Sequence, residues 1–296
     1  MNRLTRGEKV FIVMIYVVFA VVALLMLVPV LYVLKRSFDV GAGDITLSLI
    51  PKEFSAFYYR IVLRDKGIYR TFVNSAYITI VGTVLAVALQ SMGAYTLHRK
   101  ELPGHSFFTY MLIIPMMFGG GLVPFYLLMK TLRMIDTFAV LIIPACMSGW
   151  NMFLIRNYYN SIPASLEESA RIDGANEFVI LWRIVFPVST PVIAAIALFT
   201  AVGYWNTFFS ALIFINTPTK FTFPVKLREM LLVQQQATQR FEEMLAQGGE
   251  GILRQNLTNE GLSAAMIILS MLPIIIIYPY LQKYFVKGIM VGSLKG

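Results

Sequence analysis

Six long apolar stretches, separated by polar segments, dominate the pattern along the 296-residue chain. They cover residues 10–34, 72–97, 107–129, 138–155, 188–215 and 262–281, and none contains Asp, Glu, Lys or Arg. They are 18 to 28 residues long, and a helix needs about 20 apolar residues to cross the hydrocarbon core of a bilayer. The pattern predicts an all-α, polytopic membrane protein with six transmembrane helices, rather than the core helices of a soluble protein.

The first stretch, residues 10–34, is too long for the apolar region of a cleaved signal peptide, which has about 7–15 residues. No small-residue cleavage site follows it, so we expect it to remain as a membrane anchor. We divide the chain into three sections. Residues 1–71 hold the first transmembrane helix and an extracytoplasmic loop, residues 72–285 form the transmembrane core, and residues 286–296 form a cytoplasmic tail.

The positive charges before the first stretch indicate the orientation. Arg3, Arg6 and Lys9 precede it directly, and such residues favour the cytoplasmic side. Six crossings then place both termini in the cytoplasm. The loops 98–106 and 156–187 are predicted inside, and the loops 35–71, 130–137 and 216–261 outside. The raw count of Lys and Arg argues weakly against this orientation, because the two long outer loops are also basic.

Composition agrees with a membrane protein. Hydrophobic residues make up 57% of the chain and charged residues 14%, whereas soluble domains have about 25% charged residues. The net charge of +9 indicates loops beside lipid headgroups rather than a nucleic-acid partner. The single cysteine, Cys146, excludes an intrachain disulfide. His98 and His105 are predicted to be loop residues without a metal, since no Cys or carboxylate cluster lies near them in the sequence.

Glycine and proline interrupt the third stretch. Pro115, residues 119–121 (Gly-Gly-Gly) and Pro124 fall inside it, so we expect this helix to kink or unwind, either along a water-filled path or simply to fit a neighbour. The loop 35–71 is predicted to hold a helix at the outer surface. The polar loop 216–261 is predicted to be partly helical and to dock a partner or to serve as a solvated connector.

A cytoplasmic helix–turn–helix is predicted over residues 163–187. Ser165 and Glu168 have the spacing of a capping box, and Gly174 can end the helix in the left-handed conformation, which gives a helix over residues 165–173. Asn176 can cap a second, apolar helix over residues 177–186. Such an element can pass movement from a cytoplasmic partner to the membrane helices, or it can be a purely structural loop.

This segment resembles the EAA loop of ABC importer permeases. The family pattern is Glu-Ala-Ala, three residues, Gly, nine residues and Ile-x-Leu-Pro. The chain has Glu168-Ser169-Ala170, then Gly174, then Ile184-Val185-Phe186-Pro187 at the same spacing, with Ser169 and Phe186 as the two departures. The string ESARIDGAN, residues 168–176, resembles the carbohydrate branch, and so do residues 119–124, 205–209 and 284–289. The nearest subgroup is the complex-polysaccharide, alginate and lipoprotein type, similar to the smaller maltose permease subunit.

The resemblance implies a set of partners. These are a second, homologous permease, two cytoplasmic ATPase subunits, an extracytoplasmic solute-binding protein and an oligosaccharide, with no nucleic acid. It also implies a bacterial cytoplasmic membrane and a loop that docks into the ATPase. The implied coupling residues are Glu167, Glu168, Ser169, Ala170, Asp173 and Gly174.

The chain should not hydrolyse ATP itself. It has no G-x-x-x-x-G-K-[ST] sequence, the loop that cradles nucleotide phosphates. We therefore expect a non-catalytic subunit that binds no cofactor, with ATP and Mg on the partner ATPase subunits. The alternatives are a secondary transporter, which usually carries intramembrane charges, a membrane-embedded enzyme, and a non-transporting scaffold.

Polar residues within the apolar stretches are candidates for the sugar pathway, because sugars need hydrogen-bonding groups and aromatic faces. The predicted pathway residues are Tyr204, Asn206, Gln90 and Asn151. Each could instead hold helices together. The basic outer loops favour an acidic oligosaccharide such as an oligouronate, although they could equally dock an acidic binding protein.

Overall fold

The computed structural model describes residues 5–40, 50–245 and 260–279. These residues are mostly helical, and their only β-type pairing is an isolated bridge between Asp39 and Phe54. The predicted tail, residues 286–296, and the string 284–289 lie outside the described residues. The helices are α1 (Arg6–Phe38), α2 (Phe57–Arg64), α3 (Lys66–His98), α4 (His105–Met117), α5 (Leu122–Thr131), α6 (Ala139–Ile142), α7 (Gly149–Tyr159), α8 (Ala164–Ile172), α9 (Glu177–Ile180), α10 (Phe186–Val188), α11 (Thr190–Trp205), α12 (Phe209–Phe214), α13 (Phe223–Leu245) and α14 (Glu260–Pro279).

Three of the described helices are long and apolar enough to cross a membrane by themselves: α1, α3 and α14. A fourth span results if the bent pair Glu177–Val188 and Thr190–Trp205, whose axes differ by 86°, counts as one. The helices α4 and α5 are apolar but shorter. The expected all-helical membrane architecture is therefore present, while three of the six predicted stretches are interrupted rather than continuous.

The interruption of the third stretch was predicted. The helix α4, which contains Pro115, ends at Met117, and α5 begins at Leu122. Between them Gly121 has φ +77°, a backbone conformation that residues with a Cβ rarely adopt. The glycines and prolines therefore break this stretch into two short helices.

The interruption of the fourth stretch was not predicted. Only α6 and the start of α7 cover residues 138–155, and residues 143–148 between them are not helical. Pro144 cannot continue the hydrogen-bond pattern of a helix, and Ser148 starts a new one by accepting a hydrogen bond from the Asn151 amide.

The described residues form two compact units, one within Met1–Tyr69 and Leu227–Met271, the other within Arg70–Lys226 and Leu272–Gly296. In the first unit the apolar side chains of α1 are largely exposed, as is expected of a helix that faces lipid or another chain. The predicted helix of loop 35–71 is present as α2. The Arg36 guanidinium lies 2.6 Å from the Glu260 carboxylate and ties the end of α1 to α14.

The second unit has two buried cores at different levels of α3. One contains Ala94, Tyr95 and Leu97 with residues of α7 to α11. The other contains Ile78 and Ala86 with residues of α5, α6, α11 and α12. Since α3 contributes to both, it is the central helix of this unit.

Candidate functional site

The predicted helix–turn–helix is present. The first helix, α8, covers Ala164–Ile172, and Asp173 and Gly174 form the turn that follows. Gly174 has φ +83°, and the Asn176 side chain accepts a hydrogen bond from the Val179 amide. The left-handed glycine and the asparagine cap are therefore confirmed.

The predicted capping box of α8 is wrong. Pro163 occupies the position before the first helical residue and makes no side-chain cap. Because the proline's fixed φ lets the helix begin at Ala164, Ser165 lies inside the first turn, where its hydroxyl cannot cap the helix. The second helix also differs: it runs over Glu177–Val188 with a π-helical turn at Leu181–Val185, a distortion that is frequent at functional sites.

The six coupling residues do not all lie on one surface. Glu167 and Ala170 are buried within the chain, whereas Glu168, Ser169, Asp173 and Gly174 are exposed. The helix α8 thus has an inner face that packs against the rest of the chain and an outer face that is exposed. The outer face also carries Ile172, which is 87% exposed, an unusual position for so large an apolar side chain.

The inner face of α8 rests on a charged cluster that we call the α8 cluster: Tyr95, His98, Arg99, Glu167, Arg171 and Glu177. Arg99, directly after α3, forms an ion pair with the Glu167 carboxylate at 2.5 Å and donates to the Glu177 carboxylate at 2.8 Å. Arg171 lies 3.3 Å from the Glu167 carboxylate and 2.9 Å from that of Glu177. The cluster joins α3, α8 and α9 at one point.

The remaining members complete the α8 cluster. The Tyr95 hydroxyl accepts from Arg99 and donates to Glu177, both at 2.5 Å. His98, expected to be a loop residue, is the last residue of α3 and lies 3.3 Å from the Glu167 carboxylate. An open pocket of about 410 Å³ lies beside the cluster, between α8 and residues 98–101.

The four predicted pathway residues have different surroundings. Tyr204 is 4% exposed, and its hydroxyl donates to the Ile142 carbonyl at 2.9 Å. Gln90 is fully buried, and its amide donates to the Cys146 carbonyl at 2.8 Å. These bonds favour the alternative that both residues hold α3, α11 and the broken fourth stretch together.

The other two predicted pathway residues are accessible within this chain. Asn206 is exposed at the end of α11, and Asn151 is partly exposed on α7. Contact with a sugar stays a prediction for all four, and accessibility favours Asn206 and Asn151.

A second polar cluster, the Asp136 cluster, joins the loop 130–137 to the chain after α12. The Asp136 carboxylate accepts from the Thr217 hydroxyl at 2.6 Å, from the Asn216 amide at 3.0 Å and from the Lys220 ammonium at 3.1 Å. The hydrogen bonds from Thr217, followed by those from Lys220 and Asn216, hold the pKa of Asp136 well below its usual value. The carboxylate is therefore ionised at every physiological pH.

The two clusters lie toward opposite ends of α3. The Asn74 side chain donates to the carbonyls of Thr219 and Phe221, beside the Asp136 cluster, whereas His98 belongs to the α8 cluster. The 24 residues from Asn74 to His98 span about 36 Å at 1.5 Å per residue, which exceeds the roughly 30 Å of a hydrocarbon core.

Arg99, Tyr95 and Asp136 were not predicted from the sequence as members of a site. Arg99 pairs with a carboxylate 78 residues away, a distance at which no local pattern operates. For Arg99 and Asp136 the sequence offered one signal: each is a charged residue in a short loop directly beside an apolar stretch.

Comparisons with known proteins agree with this architecture. Residues 1–291 match the family described as "Binding-protein-dependent transport system inner membrane component". The chain is 34% identical to the polygalacturonan/rhamnogalacturonan transport system permease protein YtcP of Bacillus subtilis (strain 168), covering 98% of this chain and 99% of that protein. It is 28% identical to the arabinooligosaccharides transport system permease protein AraQ of Halalkalibacterium halodurans, over 94% of each chain.

A solved structure is also similar: a chain of a bacterial ABC transporter involved in the import of the acidic polysaccharide alginate. Its TM-score is 0.83 at 30% identity, covering 96% of this chain and 100% of that chain. A match over nearly the full length, in both sequence and fold, leaves one conclusion about the family. The chain belongs to the inner membrane components of binding-protein-dependent transport systems.

Proposed function

We propose that this chain is the non-catalytic permease subunit of an ATP-driven oligosaccharide importer, and that α8 is the element through which a cytoplasmic ATPase moves it. The observation that carries the proposal is the division of α8 into two faces. Glu167 fixes the inner face to Arg99, while Glu168, Ser169 and Ile172 are exposed on the outer face. A helix anchored on one side and open on the other is suited to dock a partner and to transmit its movement.

The proposed assembly follows from the family. A second permease, two ATPase subunits that bind ATP and Mg, and an extracytoplasmic solute-binding protein complete the transporter. The relatives are named for the transport of neutral and acidic saccharides, so an oligosaccharide is the supported substrate class. The acidic alginate of the structural neighbour favours an acidic oligosaccharide for this chain, carried through a cavity between the two permeases.

The docking role of α8 is tested by Glu168→Lys. The charge reversal on the outer face should lower the amount of ATPase that co-purifies with the chain by roughly tenfold, the effect of a loss of about 1.4 kcal/mol in binding. Mass spectrometry of the purified complex measures the recovery, and uptake of a labelled oligosaccharide by the same cells should fall with it. The exposed acid Glu53 provides the control, since Glu53→Lys makes the same charge change outside α8. Normal recovery and uptake with Glu168→Lys would contradict the proposal.

We also propose six crossings with both termini in the cytoplasm. The chain passes four times between the two polar clusters: along α3, through α4 and α5, through α6 and α7, and through α9 to α12. The apolar helices α1 and α14 supply the other two crossings. The α8 cluster is then cytoplasmic and the Asp136 cluster extracytoplasmic.

Cysteine labelling tests this orientation. In a Cys146→Ser background, Thr219→Cys should react with a membrane-impermeant maleimide in intact cells, because Thr219 is exposed beside the Asp136 cluster. Glu101→Cys, exposed in the loop after α3 and outside the docking face of α8, should react only after the membrane is permeabilised. Labelling of Glu101→Cys in intact cells, with Thr219→Cys protected, would reverse the orientation and remove α8 from the side where ATP is.

A further inference from the structure

Arg99 lies where the end of the central helix α3 meets both helices of the predicted coupling loop. One nitrogen, Nη2, lies 2.5 Å from the Glu167 carboxylate of α8 and donates to the Glu177 carboxylate of α9 at 2.8 Å. The same nitrogen donates to the hydroxyl of Tyr95, one turn earlier in α3, at 2.5 Å. We infer that Arg99 is a positioning residue that transmits movement of α8 directly to α3, an inference that rests on the proposed function.

Burial strengthens the ion pair between Arg99 and Glu167. Glu167 is 4% exposed, and only 20% of the Arg99 side chain is accessible. Water screens a pair in such a position much less than one on an open surface. If Arg99 moves away, the buried Glu167 carboxylate loses one of its partners. Among the described residues it then has only Arg171 and His98 to pair with.

The α8 cluster also locks α8 to α9. Arg171 bridges the same two carboxylates, at 3.3 Å from Glu167 and 2.9 Å from Glu177. The two helices and the turn between them thus form one body, with the buried Ala170 and Ile180 below it in the core that also contains Tyr95. When this body is displaced, α3 moves with it or the ion pairs break.

The connection reaches the centre of the second unit through α3. Gln90 of α3 bonds to the main chain at Cys146, and Gly82 lies directly against the Tyr204 ring. The covalent path from α8 runs instead through α9, the π-helical turn and the 86° bend before α11. Arg99 provides a second path that avoids this bend and reaches the same level of the helical bundle.

The test is the ratio of ATP hydrolysed to oligosaccharide transported, measured on the complex reconstituted in liposomes. Arg99→Gln should retain its ATPase subunits and hydrolyse ATP, while transport per ATP falls roughly tenfold, which lies within the usual range of coupling between sites. Arg99→Lys should be intermediate, because lysine keeps the positive charge but its shorter side chain does not reach the position of Nη2 between the two carboxylates. The matched control is Lys100→Gln, which removes the neighbouring, exposed charge and should leave the ratio unchanged.

A second variant distinguishes a role of Arg99 in coupling from a role in assembly alone. If Arg99→Gln impairs assembly, Arg99→Gln combined with Glu167→Gln removes the uncompensated carboxylate and should restore assembly without restoring the ratio. A wild-type ratio in an assembled complex of either variant would overturn the inference. That outcome differs from failure of the proposed function, in which Glu168→Lys changes neither ATPase recovery nor uptake.

Discussion

Replacing Gly82 with leucine is expected to leave little folded protein. A Cβ on Gly82 would lie 2.7 Å from Cε2 and Cζ of the Tyr204 ring and 2.9 Å from Cε1, far inside van der Waals contact. The ring cannot move aside easily, because its hydroxyl donates to the Ile142 carbonyl and lies 3.6 Å from the Cys146 sulfur. Overpacking by even a methyl group costs about 1–3 kcal/mol in a well-packed core, and leucine adds four carbon atoms.

Size-exclusion chromatography and thermal unfolding in detergent measure this effect. Gly203→Leu is the matched control, because Gly203 precedes Tyr204 on α11 and a Cβ there meets nothing within 4 Å. Truncation of the ring should relieve the clash, so Gly82→Leu with Tyr204→Ala should unfold at a higher temperature than Gly82→Leu alone. Equal stability of Gly82→Leu and Gly203→Leu would show that α3 and α11 are not in close contact.

This packing also bears on the predicted sugar pathway. Tyr204 was predicted to contact substrate because it is a hydrogen-bonding aromatic residue in an apolar helix. The structure uses those properties within the chain: the ring packs on Gly82 and the hydroxyl bonds to a carbonyl freed by the break after α6. A tyrosine that bonds to a free carbonyl at a helix break and a tyrosine that lines a sugar pathway can have the same neighbours in the sequence. The sequence alone therefore does not distinguish them.

Local chemistry explains which features could be predicted. Long charge-free stretches identify membrane helices because lipid excludes charge. The turn at Gly174 and the cap at Asn176 were predicted because each depends on only a few neighbouring residues. The prediction of a capping box at Ser165 was wrong because another neighbouring residue, Pro163, fixes where the helix begins.

The contacts that define the site are not local. Arg99 with Glu177, and Asp136 with Thr217, join residues 78 and 81 positions apart. Nothing in the sequence between them records that pairing, because it depends on how the membrane helices pack. The resemblance to a known family predicts that α8 docks a partner, but it did not reveal what holds the inner face of α8.

Replacing Gly174 is expected to uncouple transport. The cause is strain in the backbone, whereas at Gly82 it is a steric clash of the side chain. A Cβ at Gly174 meets nothing within 4 Å, yet φ is +83°. The left-handed conformation costs an ordinary residue roughly 1–2 kcal/mol, and asparagine much less than others. The turn sets the angle between α8 and α9, so its distortion should displace α8 from the ATPase while the membrane helices stay folded.

Three substitutions at Gly174 separate backbone strain from side-chain size. Gly174→Ala and Gly174→Leu should lower oligosaccharide uptake severalfold and to a similar extent, because both impose the same strain. Gly174→Asn should transport nearly as well as the wild type, although its side chain is larger than that of alanine. Gly203→Ala, in open space without a positive φ, is the control, and thermal unfolding should be nearly unchanged in all four proteins. A loss of uptake that follows side-chain volume, with asparagine worse than alanine, would mean that a partner surface closes over Gly174.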